Sequence, residues 1–287
     1  FRSVFVRLAR FVGEAGAGDV GKHLLGVDVR DDLWRAIERG VEINVFVDAH
    51  AELDSTDLLR RIEERLGRNP DERIRARLLR AMGRFRSPET ARALVDRVLH
   101  GDDNAAAIAA YASYRVLDAG GFRTLRAAIT DEELSEQQRI RALRTLGNAR
   151  DSLVVPPLAE LARQSFGPLS IEAIKALGRI GDAAASATLA ELLSETNDIA
   201  RQEFIITALG QARDPVARNR LIEEITFRWP DDPLLPGALE ALIKKPFYQG
   251  VETVAGLLRC ERPEVRAAAA QALRRAVRGP VLLGGAG

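Results

Sequence analysis

An all-α fold, a right-handed α-solenoid of stacked antiparallel helical hairpins, is what this 287-residue sequence predicts, and three observations carry the prediction. A short motif ending in a Leu-Gly pair returns along most of the chain at a spacing near thirty-one residues. Ala, Leu and Arg dominate while aromatics make only 5%, which suits helices packed closely through small side chains better than a β-rich core. Residues that cap helices recur at one fixed place in the motif. A period in this range marks supersecondary units that bury their apolar faces only against their neighbours.

Aligned on the Leu-Gly pair, the anchors fall at Gly83, Asp118, Gly147, Gly178, Gly210, Ile243 and Arg274, with successive spacings of 35, 29, 31, 32, 33 and 31. Just before them stand Met82, Leu117, Leu146, Leu177, Leu209, Leu242 and Leu273, the expected core position of the second helix of each hairpin. Four residues beyond the glycine anchors stand Ser87, Asp151, Asp182 and Asp214, whose side-chain oxygens can accept from orphan amides at a helix start. Eleven residues beyond the anchors stand Leu94, Leu158, Leu189, Leu221 and Val254, on the buried face of the first helix. Glycine at the anchor suits the end of a helix.

Residues 1–54 are the least regular and are expected to form an irregular, helical amino-terminal cap. Val4, Leu8 and Phe11 outline one helix, and Leu33, Ile37, Val41 and Val45 at i, i+4 spacing outline another. Between them, Gly16 to Gly21 has the spelling of a dinucleotide-binding fingerprint, and Gly16 to Lys22 that of a phosphate loop until His23 replaces the required Ser or Thr. Val41 to Asp48 could then be a strand ending in a ribose-binding acid. A parallel sheet needs both faces covered, and no further strands follow, so nucleotide binding is the alternative here and helices are the reading.

Residues 55–279 form the array. Ser55 or Thr56 caps a helix bearing Leu58, Leu59, Ile62 and Leu66, which Asn69-Pro70 stops; Asp71 to Met82 is its partner. Ser87 caps the next helix, with Pro88 at the first position, where a missing N–H is tolerated. The unit ending at Asp118 has lost its glycine and carries Gly120-Gly121, so a reshaped turn is expected there. Trp229 to Gly237 sets three prolines in what reads as a long rigid loop, and residues 280–287 read as a frayed tail.

The segments Thr145-Leu-Gly-Asn-Ala-Arg-Asp151, Ala176-Leu-Gly-Arg-Ile-Gly-Asp182 and Ala208-Leu-Gly-Gln-Ala-Arg-Asp214 resemble HEAT repeats. They are most similar to the short bacterial and archaeal kind known as HEAT-like repeats of phycobilisome lyases. The resemblance runs from about Ser55 to Val277 and implies hairpins stacked into a curved rod, the second helix of each lining the concave side. A bilin lyase or chaperone activity comes with that resemblance as an alternative, but no residue of this chain can be named as carrying such a reaction.

Forty-two basic and forty-one acidic side chains leave a net charge of +1, so no whole-protein field draws the chain to nucleic acid or an anionic membrane. The single cysteine, Cys260, lies on a predicted helix with no neighbouring histidine; it excludes an internal disulfide and fits a reducing compartment, the cytoplasm. No stretch of eighteen apolar residues is present, and the chain starts at Phe1 where a methionine is expected, as in a piece of a longer protein. His23, His50 and His100 are isolated, and the pairs Asp102-Asp103 and Asp231-Asp232 fall in predicted turns. No metal, cofactor or catalytic residue is expected, and the chain reads as a non-enzymatic interaction scaffold or adaptor.

The one polar pattern in register lies three residues before the anchors: Arg80, Arg115, Arg144 and Lys175, followed by Thr207, Glu240 and Gln271. With Arg77 and Arg141 one turn back, the first four make a basic stripe along the second helices. Such a stripe would receive an acidic or phosphorylated segment of another protein, with a nucleic-acid backbone as the alternative partner.

Overall fold

The computed structural model describes residues 56–276, apart from 69, 86, 229, 230, 245, 246 and 248, together with Trp34 and Ile37. The described residues hold fourteen α-helices and no strand. They pair in chain order as α1 (Thr56–Gly67) with α2 (Glu72–Met82), α3 (Pro88–His100) with α4 (Asp103–Ser113), and α5 (Ala119–Ala128) with α6 (Glu136–Ala149). Then come α7 (Val155–Arg163) with α8 (Pro168–Ile180), α9 (Ala183–Glu195) with α10 (Ile199–Gln211), α11 (Pro215–Phe227) with α12 (Leu235–Ile243), and α13 (Val251–Gly256) with α14 (Pro263–Arg275). Short 3₁₀ turns at Ser152–Val154 and Leu257–Arg259 adjoin α7 and α13.

The chain divides into two compact units, one ending at Thr145 and the other beginning at Leu146. In the first, α1 packs on α2 and α3 on α4, while α2 meets α4 and α3 meets α5. In the second, α7, α9, α11 and α13 pack in succession, α8, α10, α12 and α14 do the same, and each first helix meets the second helix of its own hairpin. Like therefore stacks on like, the arrangement of an α-solenoid.

The leucine ladder of the first helices explains why no hairpin is self-sufficient. Leu94, Leu158 and Leu189 are fully buried, and Leu221 and Val254 retain at most 2% exposure. Each burial is worth about 1.5–3 kcal/mol, and the first helices pack against the second helix of their own hairpin and against the neighbouring first helices. The capping grammar holds as well: Ser87 accepts from the Thr90 amide, Asp182 from Ala185, Asp214 from Val216, and Asp151 from Leu153 at the head of the 3₁₀ turn.

One hairpin sits a turn away from its sequence alignment. Gly83, at the end of α2, lies against Ala112 of α4, just as Gly147, Gly178 and Gly210 lie against Ala176, Ala208 and Ala241. In each of those later pairs the alanine stands two residues before the next anchor. Tyr114 is therefore the anchor of the second hairpin in place of Asp118. Asp118 caps α5 through the Gly121 amide at 2.7 Å, four residues past Tyr114, as its counterparts do in other hairpins. Leu125 then fills the leucine ladder, fully buried, eleven residues past Tyr114.

Two further expectations change. The loop after α11 ends at Leu234, because Pro236 and Gly237 enter the first turn of α12, where a proline loses no hydrogen bond. Asp232 fastens this loop by accepting from the Leu234 amide and pairing with Arg228 at 2.8 Å. Cys260 lies past the 3₁₀ turn instead of on a helix, since α13 closes after six residues. The Gly16–Lys22 loop, His23, Val41–Asp48, and residues 280–287 lie outside the described residues. Of the cap, Trp34 and Ile37 are helical and Ile37 is 1% exposed.

Candidate partner-binding face

The register shift redraws the basic stripe. In the first unit, Arg80 on α2 is exposed three residues before Gly83, and the equivalent rung on α4 is Tyr111 instead of Arg115. Tyr111 is 62% exposed, the largest apolar surface on this face of α4. Its ring meets Tyr114 edge-on at 5.6 Å. Arg115 lies one residue beyond the Tyr114 cap of α4, its guanidinium 5.4 Å from the Tyr114 ring and its Nε donating to the Tyr114 hydroxyl at 2.7 Å. Arg80 and Arg115 are thus not equivalent rungs, and a ring stands where the sequence pattern placed a cation.

Arg141 is also not a free rung. Its side chain keeps 11% exposure, and its guanidinium donates to the Gly101 carbonyl at 2.9 Å while pairing with Asp103. Those contacts clamp α6 to the turn between α3 and α4. Arg77 and Arg144 are half-buried, and each carries an interaction within the chain. Of the first unit's predicted cations, Arg80 and Arg115 are exposed, and only Arg80 lies within a second helix.

In the second unit the ammonium of Lys175 on α8 sits 5.2 Å from the centre of the Phe204 ring on α10. Phe204 in turn packs at 5.9 Å on Phe166, whose other neighbour is the Arg201 guanidinium at 5.4 Å. Arg201 donates to the Gln164 carbonyl at 2.7 Å, tying α10 to the end of α7. Cation-ring contacts of this kind contribute about 0.5–1 kcal/mol where exposed. One turn before Lys175, where a basic residue would extend the stripe, Glu172 is 5% exposed and bound to Arg179 at 2.6 Å.

The aromatic members, Tyr111, Tyr114, Phe166 and Phe204, were not read from the sequence. The capping rule contained the signal: Asp118 fits four residues after Tyr114, and that placement brings Tyr111 onto the rung. Each unit carries a cation against an aromatic ring, Arg115 on Tyr114 at the end of α4 and Lys175 on Phe204 between α8 and α10, chemistry suited to carboxylates or phosphates next to an apolar group. Among the described residues no cluster of His, Cys, Asp and Glu has the makings of a metal site, and no helix is long and apolar enough to cross a membrane.

The family model for HEAT repeats matches residues 123–210, which takes in α6 to α10 and their turns. The match supports HEAT repeats without distinguishing the phycobilisome-lyase kind. No curated protein matches the sequence. Among solved structures, the chain is similar to human deoxyhypusine hydroxylase in complex with glycerol, at 16% identity and a TM-score of 0.38, over 88% of this chain and 98% of that one. At that distance nothing of the hydroxylase's activity transfers to this chain.

Proposed function

We propose that this HEAT-repeat chain is a non-enzymatic interaction scaffold or adaptor that holds an acidic or phosphorylated segment of a partner protein against the second helices of its units. HEAT repeats commonly mediate protein interactions, and the rungs described above give this face its chemistry. The observation that carries the reading is that Arg80 and Tyr111 are both exposed at the equivalent rung of the neighbouring second helices α2 and α4, with the Arg115 guanidinium against the Tyr114 ring close by Tyr111. Lys175 beside Phe204 repeats the combination in the second unit. Arg115 contributes next to Tyr114, whereas Arg141 supports the fold beneath.

Nucleic acid is the weaker occupant. A duplex or single strand demands several phosphate contacts, and a net charge of +1 supplies little long-range attraction. The single cysteine agrees with a cytoplasmic setting, the location we assign. The test is capture of partners from native lysate by the wild-type chain and by an Arg80→Glu/Lys175→Glu variant over a series of salt concentrations. Loss of a salt-sensitive acidic partner from the variant supports the reading, and equal capture by both chains removes this face from consideration.

A further inference from the structure

A second surface lies on the edge formed by the turns of the second unit. Here the turns that join successive hairpins are stitched directly to one another. The Gly181 carbonyl accepts from the Arg213 and Asp214 amides at 3.1 and 3.2 Å, and the Ser152 hydroxyl donates to Asp182. Six residues past their anchors, Leu153, Ala184 and Val216 occupy the same place in three consecutive turns. All three are exposed, Leu153 to 71% and Val216 to 45%. Aligned aliphatic side chains on a continuous ribbon make a patch, unlike apolar residues scattered singly over a surface.

Cations flank the patch. Arg150 and Arg213, each three residues past its anchor, are exposed. The acids of the same turns are engaged in capping: the buried Asp151 accepts from the Leu153 amide at 3.3 Å, and the half-buried Asp182 and Asp214 accept from Ala185 and Val216, each at 2.8 Å. Arg150 also holds a left-handed backbone, φ 57°, at the position where the next turn has Gly181 at φ 60°. Glycine adopts this conformation freely, whereas a side chain there costs about 1–3 kcal/mol.

We propose that this turn edge is a docking strip for an amphipathic helix of a partner protein, its aliphatic stripe laid across Leu153, Ala184 and Val216 and its carboxylates against Arg150 and Arg213. The edge offers side chains and already bonded turn backbone, so strand addition is not available to it, and a helix satisfies its own backbone. Helices stack about 8–10 Å apart, so three successive turns span about 16–20 Å. At 1.5 Å per residue, that is the length of a helix of about 11–13 residues. The strip shares no residue with the second-helix reading, which rests on Arg80, Tyr111 and Lys175, so it stands whether or not that reading holds.

The experiment measures fluorescence anisotropy of a labelled 18-residue amphipathic helix made of Leu, Ala and Glu, beside a version with Lys in place of Glu. The chains compared are the wild type, Leu153→Ser/Val216→Ser, Arg150→Gly/Arg213→Ala and Arg80→Glu. We expect the Glu peptide to bind the wild type and the Arg80→Glu chain equally. We expect it to bind at least tenfold more weakly to the Leu153/Val216 variant and at least threefold more weakly to the Arg150/Arg213 variant, with the Lys peptide left unbound. Because every altered side chain is exposed and Arg150→Gly relieves strain, circular dichroism and melting should match or exceed the wild type. Failure of the Glu peptide to bind, unchanged affinity in either variant pair, or equal binding of the Lys peptide would overturn the proposal.

Discussion

Gly83 lies so close to Ala112 that a Cβ on the glycine would stand 2.6 Å from the alanine carbonyl oxygen. The same approach recurs between Gly178 and the backbone of Ala208, at 2.8 Å, and between Gly210 and Ala241, at 2.7 Å. Glycine therefore occupies the anchors because the next second helix leaves no room for a side chain. Backbone cannot swing aside as a flexible side chain can, so the spacing of the hairpins is set at these points.

Gly178→Ala should consequently destabilise the chain by about 1–3 kcal/mol through overpacking, even though alanine is the better helix former. Gly237, inside α12, has nothing within 4 Å of its missing Cβ, and Gly237→Ala should stabilise by up to about 1 kcal/mol. Urea unfolding midpoints of the two variants decide the matter, and a shift of the same sign in both would contradict the close-approach account.

The solenoid was legible because a repeat imposes one constraint many times. Leu94, Leu158, Leu189 and Leu221 recur at equal distance from glycine, and Ser87, Asp151, Asp182 and Asp214 recur as caps, so each reading supports the others. The slip at the second hairpin has a local cause. Leu117-Asp118 imitates a Leu-Gly pair, while the true anchor pair, Ser113-Tyr114, has neither the leucine nor the glycine. A slip of four residues is one helical turn and preserves the apolar face, so periodicity alone does not detect it. The short α13 and the entry of Pro236 into α12 were missed for a related reason: helix ends depend on caps and tertiary packing as much as on local sequence.

The corrected register predicts that Asp118 acts as a cap. Asp118→Ala should cost about 1 kcal/mol and Asp118→Asn much less, since asparagine caps comparably. Thermal melting of the two variants tests this, and equal losses would return Asp118 to the role of a hairpin anchor.

Arg141 and Arg80 should part company under mutation. Removing the half-buried Arg141 guanidinium leaves the Gly101 carbonyl without that donor, while the exposed Asp103 carboxylate returns to water, so Arg141→Ala should destabilise by about 1–2 kcal/mol. Arg80→Ala, at an exposed position, should stay within about 0.5 kcal/mol of the wild type. Denaturant titration separates the clamp from the candidate binding residue.

The strained turn gives a prediction of opposite sign. Arg150→Gly should stabilise the chain by about 1 kcal/mol or more, because it removes the side chain from a left-handed backbone at φ 57°. The equivalent change in the other direction, Gly181→Ala at φ 60°, should destabilise, both from the backbone and from the Ala212 Cα that a Cβ would meet at 2.9 Å.

Between α7 and α9, Arg163 grips Glu195 with two hydrogen bonds, at 2.9 and 3.1 Å, and holds its carboxyl below the ordinary glutamate range. A lowered carboxyl pKa contributes stability that is complete above the unfolded value and is lost as pH falls through the folded one. The stability gap between wild type and Glu195→Gln should therefore narrow on acidification through that interval and then close. Since the pair is exposed, the gap should also shrink with added salt. Urea midpoints measured stepwise in pH and salt check both statements.

The second-helix face itself is tested most directly by a photo-crosslinking side chain in place of Ala107, exposed on α4 one turn before Tyr111, and, as a control, in place of Arg92, exposed on the first helix α3. The account predicts that irradiation in cells joins an acidic or phosphorylated segment of another protein to position 107 and not to position 92, and that Arg80→Glu abolishes the product. Crosslinking of the same partner from position 92 alone, or a product at 107 indifferent to Arg80→Glu, would contradict it.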